Sequence, residues 1–383
     1  MNRVIINLEH LRNNLEVVRQ WMKARSASWT VVTKVLCGHA ETLKALQLMG
    51  VRSIGDSRLD NIRAIERIIP NLEAWYLRVP DLSSIKEVVQ LVDVSLNSEI
   101  EVIQELNKEA KLQDKIHRII IMIELGDLRE GILPGTLIKF YKDVFNLSNI
   151  EVLGIGANLG CMMGAVPNID QFMQLALYRE LLELKFERKL AMISAGSTAV
   201  LPLMQEGSLP DSINHFRIGE AIFLGSDLVN GGILEGLRDD VVLLEGEIAE
   251  IKEKGLVPLG ETANMQPFEQ EVDDDFSPGQ RGYRALISVG HLDTDVNGLT
   301  PINPEHKIAG ASSDIIVVNL GENPKGLSIG DTIRFKVNYS ALLRLMSGKY
   351  LDKIVYPSLK EFQKILKEDN LYEVAPVLDD FED

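Results

Sequence analysis

The strongest constraint on how this chain can fold is a regular alternation between Trp29 and Gly219. Short apolar segments rich in Val, Ile and aromatic residues are separated by segments with the i, i+3/i+4 apolar spacing of amphipathic helices. Eight such strand segments occur, at residues 29–34, 52–56, 74–79, 93–97, 117–125, 150–157, 190–195 and 214–219. Eight β/α units predict an α/β fold, the TIM (β/α)8 barrel. A doubly wound open sheet is the alternative, but that fold would not require a count of eight.

The pattern changes from about Ser226, where helical spacing gives way to strand-like runs separated by Gly, Pro, Asn and Asp turns. We therefore predict a barrel over residues 8–225 and a mainly β C-terminal domain over residues 226–383, which a strand within residues 1–7 joins. The second domain is predicted to end in a helix and an acidic tail. Its predicted strands are Val241–Lys252, Tyr283–Val289, Asp314–Leu320 and Thr332–Val337, and its helix is Leu359–Lys367.

The composition excludes several classes of partner. The chain of 383 residues has a formal net charge of -16, whereas nucleic acids and anionic membranes bind basic patches.

Cys37 and Cys161 lie far apart with no CxxC spacing, which argues against a disulfide framework and a metal site. The N-terminal segment has no signal-peptide pattern, and no apolar run approaches the roughly 20 residues of a membrane span. We therefore expect a cytoplasmic protein.

The first strand segment ends in a lysine, in the run Trp29-Thr-Val-Val-Thr-Lys34. A buried lysine loses its hydration, which is costly unless the charge is used. One use is a Schiff base, in which a desolvated lysine amine condenses with an aldehyde. A lysine that snorkels to solvent or forms a salt bridge is the alternative. Because the active sites of TIM barrels lie at the C-terminal ends of the strands, Lys34 is a candidate catalytic residue.

Two glycine- and hydroxyl-rich turns follow the seventh and eighth strand segments, Ser194-Ala-Gly-Ser-Thr198 and Arg217-Ile-Gly-Glu-Ala221. Turns at this place in a TIM barrel frequently bind phosphate through backbone N–H groups and a helix N-terminus. Ordinary tight turns between a strand and a helix are the alternative. A strand-end lysine, a phosphate-binding turn and an adjacent arginine together suit pyridoxal 5′-phosphate (PLP), a phosphorylated aldehyde held on Lys34.

The chain also carries seven short motifs between Val32 and Leu343. They are Val32-Thr-Lys-Val-Leu-Cys-Gly38, Ser95-Leu-Asn-Ser-Glu99, Glu124-Leu-Gly-Asp-Leu-Arg-Glu-Gly131, Gly156-Ala-Asn-Leu-Gly-Cys161, Asn214-His-Phe-Arg-Ile-Gly-Glu-Ala221, Gly310-Ala-Ser-Ser-Asp314 and Val337-Asn-Tyr-Ser-Ala-Leu-Leu343. Jointly they resemble the alanine-racemase-type family of PLP enzymes (fold type III). Within that family they are similar to the branch of predicted amino-acid racemases that includes ornithine racemase. The resemblance covers nearly the whole chain.

The resemblance implies roles for individual residues. Lys34 would carry the cofactor and act as the base on one face of the substrate. Arg217 would bond the pyridine nitrogen, and because arginine does not practically lose its proton, that nitrogen would stay unprotonated. Arg129 matches the arginine near the cofactor phenolate and the substrate carboxylate. The other implied cofactor contacts are Asn158 beside the ring, Ser194 and, at the phosphate, Ser197, Thr198, Gly219, Glu220 (through its backbone N–H) and Tyr339.

Two positions depart from the alanine racemases. There the lysine is followed by a tyrosine and Gly-His, whereas here Cys37 precedes Gly38 with a spacing one residue shorter, so His39 better fits a surface or helix-capping residue. The opposite-face base of the alanine racemases is a tyrosine in a Gly-Tyr-x-Asp turn of the partner subunit. Here Gly290-His-Leu-Asp293 puts His291 in that place. Imidazole, with an ordinary pKa of about 6.5, could move the proton, and a turn histidine without a catalytic role is the alternative.

The resemblance also implies contributions from a second subunit. Ser313 and Asp314 match a loop that contacts the substrate end from that subunit. Asp293 and Asp314 could hold a distal ammonium group, although in a chain this acidic they could equally be solvated carboxylates. Contributions of this kind imply a homodimer whose active sites are shared between subunits.

We therefore expect a PLP-dependent racemase that interconverts the L- and D-forms of a free amino acid by proton transfer at Cα. Ornithine or another basic amino acid is favoured on resemblance alone. One alternative is a decarboxylase of the same fold type; those enzymes use a cysteine from the β domain, whereas both cysteines here precede residue 226. The other is a non-catalytic PLP-binding protein, but such relatives consist of a barrel alone.

Overall fold

A computed structural model describes residues 1–160, 162, 164–260, 277 and 279–369. Backbone contacts divide the chain into two compact units, a barrel unit of Arg12–Leu237 with the chain from Gln363 onward, and a β unit of Met1–Leu11 with Arg238–Phe362. The strands are β1 (Arg3–Asn7), β2 (Ser28–Val32), β3 (Ser53–Asp56), β4 (Glu73–Tyr76), β5 (Val94–Asn97), β6 (His117–Met122), β7 (Ile150–Gly156), β8 (Met192–Gly196), β9 (His215–Ile218), β10 (Val242–Gly255), β11 (Arg281–Ile287), β12 (Leu299–Pro301), β13 (Lys307–Ala311), β14 (Ile316–Asn319), β15 (Thr332–Val337) and β16 (Asp352–Tyr356). The α-helices are α1 (Leu8–Ala24), α2 (Ala40–Leu48), α3 (Leu59–Ile68), α4 (Ile85–Leu91), α5 (Ile100–Leu112), α6 (Leu137–Val144), α7 (Ile169–Phe186), α8 (Leu201–Gln205), α9 (Glu220–Leu224), α10 (Tyr339–Ser347) and α11 (Leu359–Glu368).

The barrel unit contains a closed sheet of eight strands in the order β2-β3-β4-β5-β6-β7-β8-β9. Strand β2 closes the barrel by pairing in parallel with β9, where Trp29 lies opposite Phe216. One helix follows each barrel strand, from α2 after β2 to α9 after β9. The TIM barrel predicted from the alternation of strands and helices is therefore confirmed.

Alternate side chains of the barrel strands point to opposite sides of the sheet, as the two-residue period of a strand requires. Trp75 of β4 points inward and belongs to a buried cluster with Leu96 of β5 and Ile120 of β6. Its neighbours on β4, Ala74 and Tyr76, belong instead to a cluster with buried residues of α3, α4 and α5. These two layers of apolar packing hold the strands in register and so position their C-terminal ends.

The observed strand β6 is shorter than the apolar run that predicted it. The run continues to Leu125, but β6 ends at Met122. The next residue, Ile123, forms only an isolated bridge with Ile132. The ladder stops there because the chain turns into the loop that carries Arg129.

The β unit is built on an eight-stranded sheet whose main path is β12-β15-β10-β11-β14-β13. Strand β1 lies beside this path, antiparallel to β10 and parallel to β16. The predicted mainly β domain is confirmed. Strands β12 and β13 were not predicted, because β13 reads Lys-Ile-Ala-Gly-Ala and β12 carries a proline, both of which weaken a strand pattern. Strand β16 and helix α10 were also not predicted.

The C-terminal helix predicted from Leu359 is present as α11, which ends at Glu368. The predicted acidic tail and Cys161 lie outside the described residues. Among the residues that the structure describes, no helix is both long and apolar enough to cross a membrane.

Candidate active site

Arg217 on β9 is a buried cation with 7% of its surface exposed. Its Nη1 donates to the Ser194 carbonyl at 2.6 Å and to the Ser194 hydroxyl. Its Nη2 donates to the Ala157 carbonyl at 2.9 Å and to Asn158 Oδ1 at 2.7 Å. A guanidinium does not lose its proton in proteins, and these hydrogen bonds to β8 and to the residues after β7 orient it.

Asn158 links Arg217 to a carboxylate that the motifs did not single out, Glu130. Asn158 Nδ2 donates to Glu130 Oε1. Because a guanidinium only donates and an ionised carboxylate only accepts, these two neighbours determine which way the amide of Asn158 points. Glu130 also accepts from Arg129 Nε and from Arg129 Nη2, each at 2.9 Å. One continuous chain of hydrogen bonds therefore joins Arg217, Asn158, Glu130 and Arg129.

The loop that presents Arg129 is folded around Glu124. The Glu124 carboxylate accepts from the backbone N–H of Gly126, of Leu128 at 3.1 Å and of Arg129 at 3.0 Å. The loop closes at Gly131, which has a φ of 155° and where a Cβ would lie 2.3 Å from the Glu124 nitrogen. Only glycine fits there, which explains the last residue of the Glu124–Gly131 motif.

Lys34 does not lie in a strand, so its prediction as a buried strand-end residue was wrong. Strand β2 ends at Val32, and Lys34 is an exposed residue that begins a 3-10 turn ending at Leu36. The backbone turns at Thr33, which has a ψ of 5°, although its N–H still donates to the Gly55 carbonyl at 2.9 Å. Lys34 nevertheless stays at the C-terminal end of the barrel.

Two carboxyl groups flank Lys34, one from each neighbouring strand. Asp56 is the last residue of β3 and Glu220 follows β9, and these are the two strands that pair with β2. Burial raises the pKa of both carboxyls, and the charge of Lys34 acts against both shifts. Asp56 also accepts from the Arg58 N–H at 2.9 Å and from Asn61 Nδ2 at 3.1 Å, which fixes its position.

His39 follows the 3-10 turn and stands at the N-cap position of α2. Its Nδ1 lies 2.8 Å from Thr42 Oγ1 in the first turn of that helix. The two residues before it, Cys37 and Gly38, have φ values of 48° and 76°. The histidine therefore contacts the start of its own helix, as expected for a residue of structural role.

The turns after β8 and β9 lie side by side because these strands pair in the barrel. Ser197 Oγ is buried and has no hydrogen-bond partner within the described part of the chain. A buried hydroxyl without a partner is costly, so this position favours a polar ligand. Thr198 Oγ1 accepts from the Ala221 N–H at 3.2 Å, which joins the two turns. At Gly219 a Cβ would lie 3.0 Å from the Val32 carbonyl oxygen, so the backbone packs closely against the end of β2.

A second chain of hydrogen bonds runs from Arg217 into the barrel interior. Ser194 Oγ lies 2.8 Å from His215 Nδ1, and His215 Nε2 lies 3.1 Å from Thr30 Oγ1. The His215 ring stacks on Trp75 with centroids 4.4 Å apart. Burial, together with the charge of Arg217, lowers the pKa of His215 to about 3. A neutral histidine therefore supports the serine that holds Arg217.

In the β unit, the loop of His291 packs against the loop of Ser313 and Asp314. The N–H of Leu292 donates to the Ser313 carbonyl at 2.8 Å. At Gly290 a Cβ would lie 2.4 Å from the Asp314 nitrogen, so glycine permits this close approach. The structure thus brings together the three residues that the resemblance assigned to substrate contacts from a second subunit.

The charges around these loops are mixed. Burial lowers the pKa of His291, the charge of Asp295 acts against that shift, and the charge of Arg344 adds to it. Asp314 Oδ1 accepts from the Ser313 hydroxyl at 3.0 Å, and Asp293 Oδ2 accepts from the backbone N–H at the start of its turn at 3.0 Å. These hydrogen bonds hold both carboxyl groups in place within the two loops.

Tyr339 is the first residue of α10 in the β unit. Asn338 caps that helix by accepting from the Ala341 N–H at 2.9 Å. The cap positions Tyr339 at a rigid helix start, and its contact with a cofactor phosphate stays a prediction.

The predicted site residues fall into two groups. In the barrel group, Ser194 and Arg217 lie within β8 and β9, and the others follow the C-terminal ends of strands: Lys34, Arg129, Asn158, Ser197, Thr198, Gly219 and Glu220. The β-unit group is His291, Ser313, Asp314 and Tyr339. Sequence reasoning missed Asp56, Glu130 and His215, although Asp56 ends a barrel strand and His215 shares the inward face of β9 with Arg217. Within the described residues, no group of His, Cys, Asp and Glu side chains could hold a metal ion.

The chain is similar to known proteins over most of its length. The family model for the alanine racemase N-terminal domain matches residues 6–227. An ornithine racemase from Acetoanaerobium sticklandii is 32% identical over 356 residues, covering 92% of this chain and 98% of the relative. A lysine racemase from Thermotoga maritima is 31% identical over 357 residues, covering 93% and 99%.

The fold also matches solved structures. The crystal structure of alanine racemase from Bartonella henselae with covalently bound pyridoxal phosphate has a TM-score of 0.70 at 17% sequence identity. The match covers 92% of this chain and 99% of that one. At this identity the likeness shows a shared fold, in which both the barrel and the β unit take part.

Proposed function

The chain belongs to the alanine racemase family, and from this premise we propose that it is a PLP-dependent racemase of a basic free amino acid, ornithine or lysine. The observation that carries the proposal is the extent of the match to two racemases of such amino acids, 92% and 93% of this chain. A match of this extent includes the barrel and the β unit together, rather than the barrel alone.

The residues at the C-terminal end of the barrel fit PLP. The Ser197 hydroxyl is buried without a partner in the described chain, and it belongs to the joined turns after β8 and β9, where a phosphate would bind. Lys34 supplies the amine, and Arg217 supplies a fixed cation for the pyridine nitrogen. When bound, PLP would supply the electron withdrawal that makes the Cα–H of an amino acid acidic.

Arg217 would act through its fixed charge. Its hydrogen bonds to Ser194 and Asn158 hold the guanidinium in one orientation, and a guanidinium does not release its proton at ordinary pH. Arg217 would therefore face the pyridine nitrogen as a cation that gives up no proton, and that nitrogen would stay unprotonated. This limits the electron withdrawal by the ring and so discourages transamination.

Lys34 would move the proton on one face of Cα, as a general base and then as a general acid. Asp56 and Glu220 lie on its two sides, and the pKa values of both carboxyls are raised by burial and lowered by Lys34. Asp56 and Glu220 would therefore position the Lys34 side chain from both sides.

His291 of a second copy would serve the opposite face of Cα. Burial lowers its pKa from 6.5, so the imidazole is mostly neutral at pH 7 and can accept a proton. Asp293 and Asp314 in the same pair of loops would attract the distal ammonium group of ornithine or lysine, and Ser313 and Arg129 would contact the rest of the substrate. These roles require at least a homodimer with shared active sites, and we place it in the cytoplasm.

The two alternatives are less consistent with the chain. A fold-type-III decarboxylase would use a cysteine of the β domain, whereas Cys37 and Cys161 both fall within the barrel part of the sequence. A non-catalytic PLP-binding protein with a barrel alone would have no use for the β unit, whose loops bring His291, Ser313 and Asp314 together.

Replacement of Lys34 by alanine tests the proposal. We expect Lys34→Ala to lose racemase turnover and to change the absorption spectrum of protein incubated with PLP, because the amine that holds the cofactor is gone. Lys139→Ala is the matched control, since Lys139 is exposed on the barrel helix α6. Retained turnover with an unchanged cofactor spectrum in Lys34→Ala would contradict the proposal.

A further inference from the structure

Helix α7 has apolar side chains on two opposite sides. Phe172, Leu175 and Leu182 are buried on the side that packs against the barrel strands β7 and β8. A second set faces solvent. It consists of Ile169, Met173, Leu177, Leu181 and Leu184, with exposed fractions of 43%, 47%, 58%, 48% and 83%. We call this second set the α7 stripe.

The α7 stripe is continuous. At about 100° per residue, its five members fall within a sector of about 120° on the helix surface. The only charged residues in that sector are Asp170 and Glu180. A helix on the surface of a globular protein normally presents charged and polar residues to solvent, and a contiguous exposed apolar patch marks an interaction site.

The stripe is also self-complementary. Met173 and Leu181 lie at equal distances in sequence on either side of Leu177, and Ile169 and Leu184 extend the pattern at the two ends. A two-fold axis that lies between the two helices at Leu177, perpendicular to both, would therefore bring Met173 of one copy against Leu181 of the other. The two copies of Leu177 would meet each other. A surface with this property meets the requirement for a two-fold interface between identical chains.

The charges at the two ends of the helix favour the same arrangement. Asp170 lies in the first turn of α7 and Lys185 in the last. In an antiparallel pair, each aspartate comes close to the lysine of the other copy, and the two helix dipoles oppose each other favourably. Glu180 follows Leu177 by three residues in the sequence. The two copies of this glutamate therefore lie on opposite sides of the axis, and their like charges stay apart.

From these observations we propose that a second copy of the chain packs its α7 antiparallel on this α7 stripe. The stripe extends about 22 Å at 1.5 Å per residue, so it would form the apolar centre of an interface that the surrounding polar surface completes. This contact does not involve the residues assigned to catalysis. If its two-fold axis intersects that of the shared-site homodimer at right angles, the two contacts together close an assembly of four copies.

Substitutions at Leu177 test the contact, because this residue meets its own copy on the axis. We expect Leu177→Glu and Leu177→Lys each to place two like charges together, so each variant should have half the mass of the wild-type assembly. An equimolar mixture of the two variants brings opposite charges together, and it should recover the wild-type mass. The measurement is light scattering on PLP-loaded full-length protein after size separation.

Leu112→Glu is the matched control, because Leu112 is 81% exposed at the end of α5 and lies outside the stripe; it should keep the wild-type mass. Equal masses for the wild type and both Leu177 variants would overturn the proposal. So would a mixture that fails to recover the wild-type mass. The mass of the assembly is measured independently of turnover, so failure here is distinguishable from failure of the proposed racemase activity.

Discussion

Glu130 determines how the polar groups of the barrel site are oriented. It accepts from two nitrogens of Arg129 and from Asn158 Nδ2, and Asn158 in turn accepts from Arg217. Hydrogen bonds to charged groups contribute about 1.5–3 kcal/mol each. A single carboxylate therefore couples the arginine proposed for the substrate to the arginine proposed for the cofactor.

We expect Glu130→Gln to lower kcat/KM by about 10- to 100-fold, which corresponds to the loss of about one charge-assisted hydrogen bond. The glutamine amide offers only one acceptor atom and directs its NH2 group at Arg129 or Asn158. Steady-state racemisation kinetics measure the effect, with Glu101→Gln on the exposed side of α5 as the control. Kinetics equal to those of the wild type would show that Glu130 does not position the site.

At the scale of elements, the barrel was predictable because parallel strands buried on both faces read as apolar runs. The ends of the strands were less predictable, since they depend on single backbone rotations. Thr33 leaves the extended conformation, and Lys34 therefore starts a turn instead of ending a strand. The sequence pattern of an apolar run contains no signal for that rotation.

Candidate site residues could be picked out where a residue type or motif marked them, as for Lys34 and Arg217, and their roles stay predictions. It was not predictable where several similar side chains compete for one role. The loop after β6 contains Glu124, Asp127 and Glu130. Only the folded loop shows that Glu124 binds its own backbone, whereas Glu130 joins Arg129 to Asn158.

The barrel strands also carry two buried histidines that link stability to pH. Burial lowers the pKa of His215 on β9 to about 3 and that of His117 on β6 to about 4, from 6.5. Below pH 6.5 the unfolded chain binds protons that the folded chain excludes. The stability that neutral histidines contribute is therefore present above pH 6.5 and lost as the pH falls towards 4, at about 1.4 kcal/mol per pH unit for each histidine.

We expect His117→Gln to lose less stability than the wild type between pH 7 and pH 5, because one of the two histidines no longer titrates. Urea unfolding midpoints at the two pH values measure the difference. The raised pKa values of Asp56 and Glu220 have the opposite effect, because they stabilise the folded protein as the pH falls. This contribution is the same in both proteins and cancels in the comparison. The same pH dependence in both proteins would contradict the linkage.

At the scale of the whole molecule, the account requires more than one copy of the chain. In the proposed function, the barrel of one copy would supply Lys34 for one face of Cα, and the β unit of a second copy would supply His291 for the other. The α7 stripe adds a separate contact between copies that does not involve the chemistry. Racemisation needs both bases, whereas proton exchange without inversion needs only one.

Incubation of the PLP-loaded protein with single L-amino acids in D2O distinguishes racemisation from proton exchange on one face. Cα deuteration is followed by NMR, and the chirality of the product by chiral chromatography. We expect deuterium to enter as the D-enantiomer forms, fastest with ornithine or lysine. Deuterium entering with retained configuration would contradict the second base, and no exchange with any amino acid would contradict the racemase function itself.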